Sequence, residues 1–99
     1  MEISFQYFDG CPNWQTTHDR LNEAIADRDD IELVMQLVET PEEAAEVGFR
    51  GSPSVIIDGV DPFADRDAPA AGTLACRVYQ TEDGSPTVDQ LRNAIAGRE

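Results

Sequence analysis

Tyr7-Phe8-Asp9-Gly10-Cys11-Pro12-Asn13-Trp14 joins an alternating apolar stretch to a helical one, and the order of elements on either side follows from that junction. Upstream, residues 2–8 place Ile3, Phe5 and Tyr7 on one face and Ser4, Gln6 and Phe8 on the other, which predicts a strand near the middle of a sheet. Downstream, Trp14, His18, Leu21 and Ile25 recur at spacings of four, three and four, which predicts a helix from about Pro12 to Arg28 with those four side chains inward. Pro12 suits the first helical position because its missing N–H would have had no partner there. Cys11 begins the same stripe, so the thiol stands at a helix N-terminus. Unpaired N–H groups there act as roughly half a positive charge and favour thiolate over thiol. The plainer alternative is that a small residue was needed at a tight turn and cysteine served.

Working outward, Asp29-Asp30 break the helical pattern, and Ile31–Val38 is an apolar run of strand length. Thr40-Pro41-Glu42-Glu43 has a threonine cap, a proline at the first helical position and a glutamate three after the threonine, and Gly48 ends this helix after about two turns. Val55-Ile56-Ile57 is β-branched and stops at Asp58-Gly59, a hairpin signal. Residues 60–73 are polar and alanine-rich with two prolines, a long excursion within a second hairpin. Residues 74–80 form a further β-rich run, and Thr87-Val88-Asp89-Gln90 starts a last helix whose inward stripe is Val88, Leu91, Ala94 and Ile95. The expectation is an α/β fold in one domain over residues 1–99, ordered β-α-β-α-β-β-α, with a four-stranded mixed sheet and three helices. A right-handed crossover makes the first two strands parallel, and the hairpin makes the last two antiparallel.

Twenty carboxylates against seven arginines, with no lysine, give a net charge of −13. Nucleic acid and anionic membrane are therefore excluded as partners, since a phosphate-binding face needs clustered cations. No apolar run approaches a membrane span, and the N-terminus lacks a signal-peptide pattern, so the expected location is the cytoplasm. Two cysteines, Cys11 and Cys76, are too few for a secreted disulfide scaffold.

The element order, the cysteine after the first strand and the segment Val47-Gly48-Phe49-Arg50-Gly51-Ser52-Pro53-Ser54-Val55-Ile56-Ile57-Asp58-Gly59 together resemble the thioredoxin and glutaredoxin superfamily. The likeness covers nearly the whole chain in element order and about twenty residues in motif. It implies a thioredoxin-like fold and a cis peptide before Pro53 close to Cys11. It also implies a backbone edge at Ser52 to which a peptide or glutathione adds as a strand. The family pair Cys-x-x-Cys is broken, because the fourth position is Trp14. Cys11 is left as a monothiol, which resembles the branch in which one cysteine forms a mixed disulfide that a second thiol resolves. The implied function is a monothiol thiol-disulfide oxidoreductase with Cys11 as nucleophile. Pro12, Trp14, Arg50, Ser52 and Pro53 would contact a small-molecule thiol or protein disulfide substrate. No bound cofactor or metal is implied, and glutathione or another small thiol would be the co-substrate.

The implied sheet order sets Cys76 more than about 7 Å from Cys11, beyond a disulfide, unless the loop at 60–73 returns it. Cys76 is thus either a resolving thiol or a packing residue. An unperturbed thiol is only about 3% ionised at pH 7, and Asp9 opposes whatever the helix N–H groups supply. His18, seven residues beyond Cys11 and about 10 Å along the helix, is outside proton-transfer range and reads as a packing residue. Arg50 either attracts a substrate carboxylate or pairs with surface acids. Two other functional classes remain: a redox-silent scaffold that holds a protein partner on its acidic surface or sheet edge, and a module binding a soft metal between Cys11 and Cys76.

Overall fold

A computed structural model describes residues 1–10, 14–63, 79 and 81–97. In chain order the elements are β1 (Glu2–Tyr7), α1 (Trp14–Ile25), β2 (Glu32–Leu37), α2 (Pro41–Val47), β3 (Ser54–Ile57) and α3 (Val88–Ala96). β1 is the central strand, paired parallel to β2 from Glu2↔Glu32 to Tyr7↔Leu37 and antiparallel to β3 from Ile3↔Ile57 to Gln6↔Ser54. The sheet among the described residues therefore has three strands in the order β2-β1-β3.

This corrects the expected four-stranded sheet, while the α/β class stands. The run 74–80, from which a fourth strand was expected, lies outside the described residues except for Tyr79. Tyr79 gives its backbone N–H to Gly84 O at 2.8 Å and accepts the Thr81 N–H at 2.9 Å, so its backbone is used in a local turn.

The local signals act as their chemistry requires. Asp58 and Gly59 adopt φ of 49° and 83°, the doubly left-handed pair of a tight two-residue hairpin, closed by Ile57 N–H to Val60 O at 2.8 Å and the return bond at 3.0 Å. Asp58 also fastens this turn to the start of β1, because its carboxylate accepts the Glu2 N–H at 2.8 Å. Thr40 Oγ1 accepts the Glu43 N–H at 3.1 Å and starts α2, but the Glu43 carboxylate reaches the Glu39 N–H, one residue outside the usual capping box. Thr87 and Gln90 close the complete box at α3, with bonds of 3.1 and 2.9 Å.

α1 and α3 cover one face of the sheet, burying Leu21, Ala24, Leu91 and Ile95 against Ile3, Phe5, Val55 and Ile57. α1 begins at Trp14 among the described residues, and its wholly buried row is Thr17, Leu21 and Ala24. The expected stripe of Trp14, His18 and Ile25 is half-buried along one flank. Both rows run through Leu21 at spacings of three and four, so periodicity alone leaves the helix free to roll between them. A second, smaller cluster of Val38, Ala44 and Phe49 packs with Phe8 and Val47 beside α2. Arg20, on α1, ties this helix to the approach of α3 by bonding Asp83 and the carbonyls of Ser85 and Pro86 at 3.3 and 3.1 Å. Among the described residues no helix is long and apolar enough to cross a membrane.

Candidate functional site around the end of β1

Three segments converge where β1 ends: residues 8–10, the first turn of α1 and the loop Gly51-Ser52-Pro53. Strand alternation sends the Tyr7 ring to the α1 face and the Phe8 ring to the second cluster, so the chain leaves the sheet held on both sides. Beyond β2, the Val38 N–H bonds Tyr7 O at 2.8 Å and continues the ladder to the last residue of β1. The next N–H, that of Phe8, is taken by Ser52 Oγ at 2.9 Å across 44 residues of sequence. Ser52 is wholly buried, so this hydroxyl replaces the sheet ladder at the point where β1 departs.

The Ser52–Pro53 peptide is cis, and Gly51 before it has φ 106°, a region that side chains avoid. The loop is held from three directions. Ser54 Oγ donates to Gly51 O at 2.6 Å, Tyr79 Oη donates to Pro53 O at 2.7 Å, and Ser52 holds Phe8. Gly10, next to Cys11 in sequence, lies against the Phe8 ring: a Cβ there would stand 2.7 Å from Phe8 Cε2, so any larger residue would displace that ring.

Opposite the loop, Trp14 stacks on Tyr7 with ring centroids 4.4 Å apart and planes at 34°. His18 lies 6.3 Å from Trp14 and 5.5 Å from Phe5, with its Nε2 3.3 Å from the Asn22 amide nitrogen. These rings form a continuous, half-buried wall from the core to the surface, with His18 packed inside it.

Of the residues singled out from sequence, Trp14, Ser52 and Pro53 gather at this end of β1. Cys11, Pro12 and Cys76 lie outside the described residues, as does the soft-metal pairing of the two cysteines. Ser52 and Pro53 are fully buried, with the Ser52 side chain turned onto Phe8, so they support the loop from within and offer no exposed edge. Arg50 is directed elsewhere. With Gln6, Val47, Gly48, Ile56, Val60 and Asp61 it lines a cleft of about 420 Å³. Gln6 and Ile56 belong to the sheet face opposite Phe5 and Val55, so this cleft is on the side away from α1.

Two residues that hold the site carried no signal in the sequence. Tyr79 sat in a stretch read as strand, and nothing in its neighbours shows that its hydroxyl closes on Pro53. Phe8 read as an alternating strand residue, whereas its backbone N–H is the anchor. Among the described residues the perturbed carboxylates lie away from this end: hydrogen bonding to Arg20 and to the Ser85 N–H lowers Asp83 to about 2, and hydrogen bonding to Arg28 lowers Asp30. Comparison with protein-family models, curated proteins and solved structures gives no significant match.

Proposed function

We propose that the protein is a monothiol thiol-disulfide oxidoreductase related to the thioredoxin and glutaredoxin superfamily, with Cys11 as its nucleophile. The observation that carries this reading is the bond from the Phe8 N–H to Ser52 Oγ at 2.9 Å. It seats the loop bearing Pro53 against the chain three residues ahead of Cys11, where the resemblance implies a proline loop should lie. The half-buried Tyr7–Trp14 pair on the other side of the chain adds support. Since Ser52 and Pro53 are buried, the surface offered to substrate is the aromatic side, and the loop stiffens it from beneath.

The chemistry runs in two exchanges. The Cys11 thiolate donates a lone pair to one sulfur of a substrate disulfide; the new S–S bond forms as the old one breaks, and the displaced sulfur leaves as thiolate with the bonding pair. A second small thiolate, glutathione or an equivalent, attacks the mixed disulfide, forms its own disulfide with the sulfur it meets, and returns Cys11 as thiolate. No net oxidation of Cys11 occurs: the two exchanges consume one small thiolate, release one substrate sulfur as thiolate and leave the other in a disulfide with the small thiol, which for a glutathione mixed disulfide is oxidised glutathione. A reducing compartment, the cytoplasm, would keep that thiol available.

The test is the alkylation rate of Cys11 against pH in a Cys76→Ser background, together with turnover of a glutathione mixed disulfide. A thiol pKa below about 8.5, with turnover abolished by Cys11→Ser and kept by Cys76→Ser, supports the reading. An ordinary thiol pKa and no turnover in the wild type would leave the redox-silent scaffold as the better account. Stoichiometric binding of a soft metal that needs both thiols would favour the binding module.

A further inference from the structure

Among the described residues no strand pairs with the outer edge of β2, and the hydrogen bonds of its other edge fix which residues face outward. The Glu32 N–H bonds Met1 O at 2.9 Å and the Val38 N–H bonds Tyr7 O at 2.8 Å, both toward β1. In a parallel pair alternate residues face the neighbour, so Glu32, Val34 and Gln36 turn their backbone groups to β1. Leu33, Met35 and Leu37 turn theirs outward, three N–H and three C=O groups with no hydrogen-bond partner among the described residues.

Sheet edges are ordinarily protected by lysine, proline, an inward charge or a bulge. Residues 33–37 read Leu-Val-Met-Gln-Leu, with none of the first three, and their pairing with β1 runs through without a bulge. Val34 and Met35 are 39% and 38% exposed, on opposite faces of the strand. The charge around the edge selects its occupant. Asp29 and Glu32 at one end, and Glu39 and Glu42 at the other, are exposed, and none has a side-chain ion pair among the described residues. Neither β2 nor the segment through α2 carries an arginine. A second copy of this chain would bring another −13 to the same edge.

We propose that the outer edge of β2 takes up an extended segment of a partner protein as an added strand, apolar over about five residues and bearing Arg or Lys at both ends. Its backbone would close the six outward groups of Leu33, Met35 and Leu37. At about 3.3 Å per residue, its cations would stand about seven residues apart, opposite Glu32 and Glu39. This surface is independent of the chemistry proposed for Cys11.

The probe is a fluorescein-labelled synthetic peptide, Arg-Arg-Val-Thr-Val-Thr-Val-Arg-Arg, titrated with the full chain and followed by polarisation. Three controls are a glutamate-flanked peptide, a peptide N-methylated at alternate residues, and sedimentation of the chain alone. Saturable binding is expected to weaken at least tenfold with N-methylation and with Met35→Lys. Glu32→Gln with Glu39→Gln should weaken it several-fold and flatten its salt dependence. Circular dichroism of each variant shows whether the sheet is kept. If Met35→Lys alters the fold, N-methylation alone decides, because it leaves the protein untouched. Absence of binding at 1 mM protein, binding indifferent to N-methylation, or equal binding of the glutamate-flanked peptide would overturn the proposal. So would a wild-type dimer that Met35→Lys makes monomeric, since the edge would then belong to a second copy.

Discussion

Ser52→Ala removes the oxygen that takes the Phe8 N–H at 2.9 Å. Ser52 is fully buried and Phe8 half-buried, so alanine leaves the Phe8 N–H facing the space the hydroxyl filled. An orphaned backbone donor in such a place costs about 1–3 kcal/mol. The return donation from Ser52 Oγ to Phe8 O is 3.5 Å long, at the edge of hydrogen-bond geometry, and adds little. A loss of about 2 kcal/mol is a large share of the roughly 5–15 kcal/mol that holds a domain together. It should lower the urea midpoint by about 1 M, for a slope near 2 kcal/mol per molar, and the melting temperature by roughly 8–16 °C. The assay is equilibrium urea unfolding followed by fluorescence of Trp14, the single tryptophan, which stacks on Tyr7 beside the anchored loop. Thr16→Ala, exposed on α1, is the control and should stay within about 0.5 kcal/mol of wild type. A Ser52→Ala midpoint indistinguishable from that control would refute the reasoning, because the Phe8 N–H would then have another partner in solution.

Two further substitutions probe parts of the fold that the site depends on. Thr17 on α1 is fully buried and its Oγ1 has no hydrogen-bond partner among the described residues, so Thr17→Val, of nearly the same shape, should raise stability by about 1 kcal/mol. Thr17→Ser, which keeps the hydroxyl and loses the methyl, should lower stability, and a melting curve in which both variants fall below wild type counts against an unsatisfied hydroxyl. Asp83 titrates at about 2 in the folded chain because of its hydrogen bond to Arg20, against about 3.9 unfolded. A folded value below the unfolded one stabilises above about pH 4 and ceases to do so as pH falls through about 2. Asp83→Asn should therefore flatten the acid limb of the urea midpoint between pH 4 and 2, and 1 M salt should narrow its difference from wild type; parallel limbs would show that the pair contributes nothing.

What the sequence could express was chemistry confined to a few neighbouring residues. Thr87 with Gln90, Thr40 with Pro41, and Asp58-Gly59 each specify a geometry within four residues, and each is found where its own atoms require it. The α1 stripe was legible only to within a roll of the helix, because rows through Trp14 and through Thr17 share Leu21 and the spacing that would distinguish them. Tyr79 lies in the run read as a fourth strand, and its bonds, the backbone N–H to Gly84 O and the hydroxyl to Pro53 O, join it to segments that no pattern within that run names. The candidate site divides along the same line. Pro53 entered the site through the family resemblance and Trp14 through the spacing of the helix stripe. The contacts that make them one site, Ser52 on Phe8 and Trp14 on Tyr7, join segments that only the sheet brings together. In β2 the apolar run read as strand, and among the described residues its pairing to β1 alone leaves Leu33, Met35 and Leu37 with outward groups that no local pattern foretells. A strand's residues are fixed by the sequence nearby, and whether its edge is closed is fixed by what else the fold, or a partner, lays beside it.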